Sequence, residues 1–404
     1  MDEMTADLVR RFGTPLYVYR LDRVRAAAAD LRAALPDPSR LYYSVKANPH
    51  PAIIAELSSQ GLYAEVSSVG ELAAAVSAGQ PASRCLYSGP GKTRTEIALA
   101  LKAGVRTFSV ESVVDRMRLG KECRGLGEDV GYLVRLNGGA ASGAGLRMTG
   151  RATQFGTDVD LAADLAELFT PLGRLRPIGA HIFAGTNVAD GDQLLDEFRL
   201  TIRTITETLE SCGAPCELVD LGGGFAAPFA RPGARAHYPR LREGLEKELD
   251  AQLPGWRGGT PAIAFESGRY LTGDCGTLYT TVLDVKQSKG STFAVLDAGV
   301  QTLGGMWGLG RLPVPAAQPL AGPGVPASPT LVGPLCTPLD VLSRNASIPL
   351  PVVGEVLEFP NTGAYGLSAS LIGFLSHPLP TEVVLDSDGE LVDARRLELT
   401  PRKV

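Results

Sequence analysis

Hydrophobic and polar positions follow two different rhythms along the chain, and the switch between them divides the sequence. From residue 40 to 112, short runs rich in β-branched and aromatic residues alternate with segments whose apolar residues recur at helical spacing. RLYYS precedes PAIIAELSSQG, YAEVSS precedes VGELAAAVSAG, RCLYSG precedes RTEIALALKAG, and RTFSVES closes the series. Each helical segment stops at a glycine (Gly61, Gly79, Gly104), the residue that tolerates the left-handed turn ending a helix. The repeat of about 25 residues predicts parallel βαβ units. It continues through GYLVRLN, LAADLAELFTPLG, LRPIGAHIFAG, the long amphipathic DQLLDEFRLTIRTITETLESCG, CELVDL, YPRLREGLEKELDAQLPG and PAIAFESGRYL. Strands near 42, 63, 86, 107, 133, 180, 218 and 264 make eight, which predicts a closed (β/α)8 TIM barrel, with an open doubly wound sheet as the alternative.

After about residue 270 the period falls to two. GTLYTTVLDVKQSKGSTFAVLDAG alternates around a turn at Lys289-Gly290, and VVGEVLEFPNTGAYG and PTEVVLDSDGELVDA read as further strands. TPLYVYR (14–20) is another short strand, followed by the helical LDRVRAAAADLRAAL. The stretch 311–329, rich in Pro, Ala and Gly, reads as an extended connection. The expected organisation is an α/β chain: a barrel over 25–268, and a β-rich domain from 1–24 and 269–404.

Composition narrows the function classes. With 404 residues and 44% hydrophobic content the chain can bury a large core. It has no uninterrupted apolar run of about 20 residues, so no membrane span is expected. MDEMTADLVRRFG lacks the basic start and apolar core of a secretory signal. A net charge of −5 argues against a general nucleic-acid binder. The six cysteines read as reduced thiols of a cytoplasmic protein. Cys212 and Cys216, spaced CGAPC, have no second Cys or His pair, so no zinc site is expected, and four histidines argue against a His-rich metal site.

In such a barrel the chemistry sits at the C-terminal ends of the strands. Those ends carry Lys46, Glu65, Ser88, Arg135, His181, the Gly222–Gly224 run, Glu266 and Arg269. Lys46, on YYSVKANP, is either a desolvated nucleophilic amine or a rim lysine reaching water. DLGGGFA offers backbone N–H groups to a phosphate, or is an ordinary turn after a strand. Glu266 and Arg269 in FESGRYL suit a ring N–H and a phosphate, or form a surface ion pair. His181 in GAHIFAG is either a satisfied core residue or a flat ring above a planar cofactor. Cys336 in VGPLCTPLDVL is an accessible acid or nucleophile, or a buried thiol. Tyr365 lies in the glycine-rich loop NTGAYGLSAS, a simple turn or a site wall.

The order of YYSVKAN, AEVSSVGEL, YSGPGKTRTEI, QFG, HIF, LGGGF, ESGRYL, GPLC and GAYG resembles the fold-type III pyridoxal-phosphate decarboxylases over residues 14–390. That group contains the diaminopimelate, ornithine and arginine decarboxylases, with alanine racemase as a more distant relative. The resemblance implies an alanine-racemase-like barrel with a C-terminal β domain and pyridoxal 5′-phosphate as cofactor. It implies that Lys46 forms the Schiff base, that Glu266 pairs with the pyridine nitrogen, and that His181 stacks on the ring. Gly222, Gly223, Gly224 and Arg269 would hold the phosphate with Tyr365, while Glu65, Glu71 and Arg135 support the pocket. Cys336 would return a proton after CO2 leaves, reaching the site from the partner subunit of a homodimer with shared active sites.

Departures from the family pattern bear on the substrate. Diaminopimelate and ornithine decarboxylases carry an acid after the cysteine, where this chain has Thr337; Asp340 follows three positions on. Thr337, Asp340, Arg311 and Tyr365 are the expected substrate contacts, with Met306 and Trp307 shaping the pocket. Ala184 stands where the family's HxxS pattern has serine, with Thr186 as a substitute. The CTPLD form looks like a subgroup from secondary metabolism that includes a decarboxylase of a glutamyl group on an acyl carrier protein. A modified or carrier-tethered amino acid is therefore the expected substrate, with an acyl or peptidyl carrier protein as a candidate partner. The alternatives are meso-diaminopimelate or a free basic amino acid such as ornithine, lysine or arginine. A racemase on the same cofactor and a non-catalytic cofactor carrier are the remaining rivals; the β-rich 270–404 stretch opposes the carrier.

Overall fold

A computed structural model describes residues 2–138, 146–147, 152–308, 316–398 and 400. The chain divides into two units: one of residues 27–226 and 236–271, the other of residues up to 26, 227–235 and from 272 onward. The segment 227–235 lies inside the span expected for the barrel yet groups with the β-rich unit.

After a first strand β1 (Leu16–Arg20), the larger unit is a closed parallel barrel. Its strands are β2 (Arg40–Ser44), β3 (Tyr63–Val66), β4 (Cys85–Tyr87), β5 (Thr107–Val110), β6 (Val130–Asn137), β7 (Leu175–His181), β8 (Leu218–Asp220) and β9 (Ala262–Ser267). Neighbours run β5-β4-β3-β2-β9-β8-β7-β6, and the β5–β6 pairing closes the ring. Tyr42, Leu86, Leu133, Leu218 and Ala264 form a buried cluster contributed by five strands, filling the interior as side-chain layers fill such barrels. Truncating one of them, such as Leu133→Ala, is expected to cost about 2–5 kcal/mol.

Side chains at the strand exits start the outer helices. Ser68 accepts the amide of Glu71, Thr93 forms a reciprocal capping box with Glu96, and Ser112 accepts the amide of Asp115. These caps stop each strand and turn the chain within a few residues, so the strand ends stay short and their polar side chains are presented at one rim.

The second unit is built on a mixed sheet. β10 (Gly276–Ser288) and β11 (Ser291–Leu296) form a hairpin through Lys289 and Gly290, both at positive φ. β12 (Thr330–Val332), β13 (Val341–Ser343), β14 (Val356–Phe359), β15 (Thr381–Leu385) and β16 (Leu391–Arg396) complete it. The order is β13-β12-β11-β10-β1-β15-β16, with β14 paired to β10. The helix Glu3–Phe12, capped by Asp2, packs Leu8 onto Leu16, Val18, Tyr279, Val383 and Leu385. No helix among the described residues is long and apolar enough to cross a membrane.

Candidate active site

Strand register gathers the charged residues of the barrel unit. β2 ends at Ser44, paired to Glu65 of β3, and the chain then enters a short helical turn, Val45–Ala47, that carries Lys46. Lys46 Nζ lies 2.8 Å from Glu65 Oε2. The lysine side chain is 39% exposed while that of Glu65 is 2% exposed. The ammonium therefore sits at the rim beside an anion, and this pairing, not the desolvation considered from the sequence, defines its surroundings. Glu65 Oε1 accepts the Ser67 hydroxyl at 3.1 Å and the Ser88 hydroxyl. Burial pushes the Glu65 carboxyl up, but the charge of Lys46 and hydrogen bonds from Lys46, Ser88 and Ser44 outweigh it, bringing it down to about 2.

Across the barrel, Arg135 of β6 is paired in register with His181 of β7, and His181 with Asp220 of β8. His181 Nδ1 is 3.0 Å from the Ser109 hydroxyl, and its Nε2 is 3.5 Å from Glu266 Oε1. Burial, then the charge of Arg135, drives the His181 pKa well below its usual value. One donor atom each from His181, Asp220 and Glu266 fall within 4.8 Å of one another. Burial, reinforced by the charges of Glu65 and Asp220, pushes Glu266 well above the carboxylate range. Burial likewise raises Asp220 to about 7 against the opposing hydrogen bond from the Gly222 amide.

His181 Nε2, Asp220 Oδ2 and Glu266 Oε1 are buried without a hydrogen-bond partner. Native interiors rarely leave such atoms unpaired, so three together mark a place completed by a ligand. Arg135 donates to Glu111 Oε1 at 2.9 Å and lies 4.7 Å from the centre of the Phe155 ring. Glu111 Oε2 also accepts the Gly156 amide at 2.7 Å, fastening the QFG segment to the end of β5.

The glycine run is required by close backbone approach. A Cβ on Gly222, whose φ is +67°, would lie 2.6 Å from the Ile182 carbonyl, and one on Gly223 would lie 2.4 Å from the Glu266 carbonyl. Among the described residues the amides of Gly223 and Gly224 find no acceptor. They are donors suited to an anion, and the buried Arg269 opens the turn after β9.

Residues 21–273 match the family described as pyridoxal-dependent decarboxylase, pyridoxal binding domain. The chain belongs to this family. It is a pyridoxal-phosphate-dependent carboxy-lyase of amino acids. It is 30% identical over 400 residues to an L-glutamyl-(BtrI acyl-carrier protein) decarboxylase of Niallia circulans, covering 95% of this chain and 91% of the relative. It is also 30% identical over 406 residues to a diaminopimelate decarboxylase of Zymomonas mobilis, covering 96% and 92%. A diaminopimelate decarboxylase structure from Helicobacter pylori complexed with L-lysine shares the fold, at a TM-score of 0.84, 23% identity and 97% coverage of each chain.

The barrel residues of this decarboxylase fit its cofactor. A protonated ring nitrogen would bring a positive charge to the buried cluster of Glu65, Asp220 and Glu266, and a donor to the unpaired Glu266 Oε1. The free glycine amides suit a phosphate.

Glu71 is half-buried at a helix start, where it accepts the Ser67 amide at 2.7 Å. Ala184 is buried and Thr186 half-buried in the segment after β7. Cys336, Thr337, Asp340 and Tyr365 belong to the second unit. Cys336 is an exposed free thiol, and Tyr365 sits at a φ of +57°. Asp340, expected at the substrate, ties its loop to the segment at residue 300: Oδ1 accepts the Val300 amide at 2.7 Å and Oδ2 the Leu335 amide at 2.8 Å. The Thr337 hydroxyl accepts the Leu339 amide at 3.3 Å. Met306 is buried, while Arg311 and the Trp307 side chain lie outside the described residues. Cys212 and Cys216 are half-buried free thiols. Sequence reasoning missed Asp220, Ser109 and Glu111, although each lies within one residue of a strand's C-terminal end, where the barrel rule already pointed.

Proposed function

We propose that this decarboxylase acts on an amino acid whose far end is modified or carried on a protein, and not on a free diamino acid. The observation that carries this reading is the Cys336 loop. Thr337 stands where an acid would meet a distal ammonium, and both oxygens of the neighbouring Asp340 are taken by backbone amides. A desolvated ammonium needs an anion, and the one carboxylate of this loop is buried and anchored to backbone amides. The 30% identity to the carrier-linked glutamyl decarboxylase supports the reading. The equal identity to a diaminopimelate decarboxylase makes that substrate the alternative to be tested.

Lys46 Nζ is the amine that holds the cofactor's aldehyde and yields to the substrate amine. Glu65 keeps that amine at the rim through the 2.8 Å pair. Glu266 would pair with the ring nitrogen and His181 would contact the ring, with Asp220 in the same buried cluster and Arg135, braced by Glu111, beside it. The amides of Gly223 and Gly224, with Arg269 and Tyr365, would hold the phosphate, while the Gly222 amide, expected there too, is taken by Asp220 Oδ1 at 2.9 Å. When bound, pyridoxal phosphate supplies an electron sink for the bond broken at the substrate Cα. Cys336 of the partner subunit donates the Sγ proton that replaces the lost carboxylate, so the working unit is a homodimer.

CO2 release with added pyridoxal phosphate tests the substrate. The panel is lysine, ornithine, arginine, meso-diaminopimelate, free glutamate and a carrier-bound glutamyl thioester. Release from the thioester alone supports the proposal. Rapid release from meso-diaminopimelate or a free diamino acid overturns it.

A further inference from the structure

The YSGPGKTRTEI segment contains a buried cation with no part in the chemistry described so far. Lys92 lies in the loop between β4 and the helix Arg94–Ala103, and its side chain is 1% exposed. Its ammonium makes three polar contacts: the Gly89 carbonyl at 2.6 Å, the Ser109 carbonyl at 2.8 Å and Asp115 Oδ2 at 2.7 Å. An ammonium has three protons to donate, and all three are used.

Each acceptor belongs to an element that carries a site residue. Gly89 follows Ser88, whose hydroxyl donates to Glu65, the partner of Lys46. Ser109 meets His181 Nδ1 through its hydroxyl and Lys92 through its carbonyl, so both ends of that residue are held. Asp115 Oδ2 also accepts the Glu111 amide at 3.2 Å, and Glu111 holds both Arg135 and the Gly156 amide. One buried ion pair thus joins the ends of β4 and β5 and the start of the helix Val113–Glu122.

Interiors close more readily around apolar groups, and a buried ion pair is often no better for stability than an apolar pair of the same size. What the pair adds is direction. A carbonyl held by an ammonium has a fixed orientation, and the Ser109 hydroxyl then addresses the histidine ring from a fixed point.

We infer that Lys92 is a positioning residue of this decarboxylase: through the Gly89 and Ser109 carbonyls and Asp115 it sets the placement of Glu65, His181 and Arg135 around the cofactor. The inference rests on the reading of those residues as the cofactor site.

The variants are Lys92→Met and the double Lys92→Met/Asp115→Asn. The single variant strands a buried carboxylate and is expected to unfold easily. The double variant is neutral, and the asparagine carbonyl keeps an acceptor for the Glu111 amide. Two readouts are taken on it. One is the ring nitrogen resonance of His181 in the cofactor-free protein, assigned among the four histidines with His181→Gln. The other is the affinity for added pyridoxal phosphate.

The expected result is a folded double variant with a displaced His181 resonance and a Kd for pyridoxal phosphate raised about tenfold to a hundredfold. A folded double variant with an unmoved resonance and a Kd within twofold of the parent overturns the inference. A double variant that cannot fold also overturns it, because Lys92 is then a folding residue. The underlying site reading fails separately: pyridoxal phosphate added to the parent protein would leave the His181 resonance in place, whatever the double variant does.

Discussion

The rim of the barrel and the Asp340 loop are both rich in buried polar atoms, but they treat them in opposite ways. At the rim, His181 Nε2, Asp220 Oδ2 and Glu266 Oε1 have no hydrogen-bond partner, and two of the three residues are carboxyls forced toward their neutral form. In the loop, both oxygens of Asp340 are bonded to the amides of Val300 and Leu335, and Gly299 and Gly333 pack closely around it. A carboxylate with its bonds filled by its own backbone is scaffold. Buried donors and acceptors left open are a site, because their cost is recovered only when a ligand arrives. On this criterion the barrel rim is the proposed cofactor site, while Asp340 anchors the segment that carries Cys336.

Substitutions sharpen the contrast. The largest effect is expected at Lys46. Lys46→Ala removes the amine that carries the cofactor, and CO2 release should fall by about 1000-fold or more; turnover near the parent value would refute the assignment. Next is Asp340→Ala, which leaves two amides without acceptors. Urea unfolding should show a loss of about 2–6 kcal/mol; an unchanged midpoint would show that the loop does not depend on it. Glu266→Gln should behave in the reverse manner. The cofactor-free protein should lose less than about 1 kcal/mol, because a carboxyl whose Oε1 is already unpaired is replaced by an amide of the same shape. Cofactor affinity and activity should both fall, measured by titration and CO2 release.

The smallest effect is a pH slope. Asp220 is raised to about 7 in the folded chain from an ordinary value of 3.8. The folded protein thus binds more protons than the unfolded chain between these values, so this group's stabilising contribution is complete below about 4 and is lost as pH rises through about 7. The melting temperature of the cofactor-free protein should carry this downward slope, and Asp220→Asn should flatten it. An identical slope in the variant would place the titration elsewhere.

Much of the barrel was legible because each βα unit is local. Apolar spacing, glycine stops and Ser or Thr caps lie within one unit of about 25 residues, and eight units in a row leave few alternatives. The helix Glu3–Phe12 had the same signals, with Asp2 before it, Glu3 in its first turn and Gly13 at its end, but they were not used. The return of 227–235 to the β-rich unit was invisible, since contacts with residues far along the chain define it. At the site, residue types at strand ends named Lys46, Glu65, Arg135, His181 and Glu266. Their partners were hidden by sequence distance: His181 meets Ser109, and Arg135 meets Glu111, only after the barrel closes. The state of Asp340 was equally hidden, because a sequence does not tell a carboxylate awaiting a ligand from one already bonded to its loop.

The most direct test of the rim as cofactor site is borohydride reduction of the protein loaded with pyridoxal phosphate, followed by peptide mass mapping. The account predicts a single pyridoxyl group, on the peptide containing Lys46, and its disappearance in Lys46→Ala. A pyridoxyl group on another lysine, or none on a protein that still releases CO2, would contradict it.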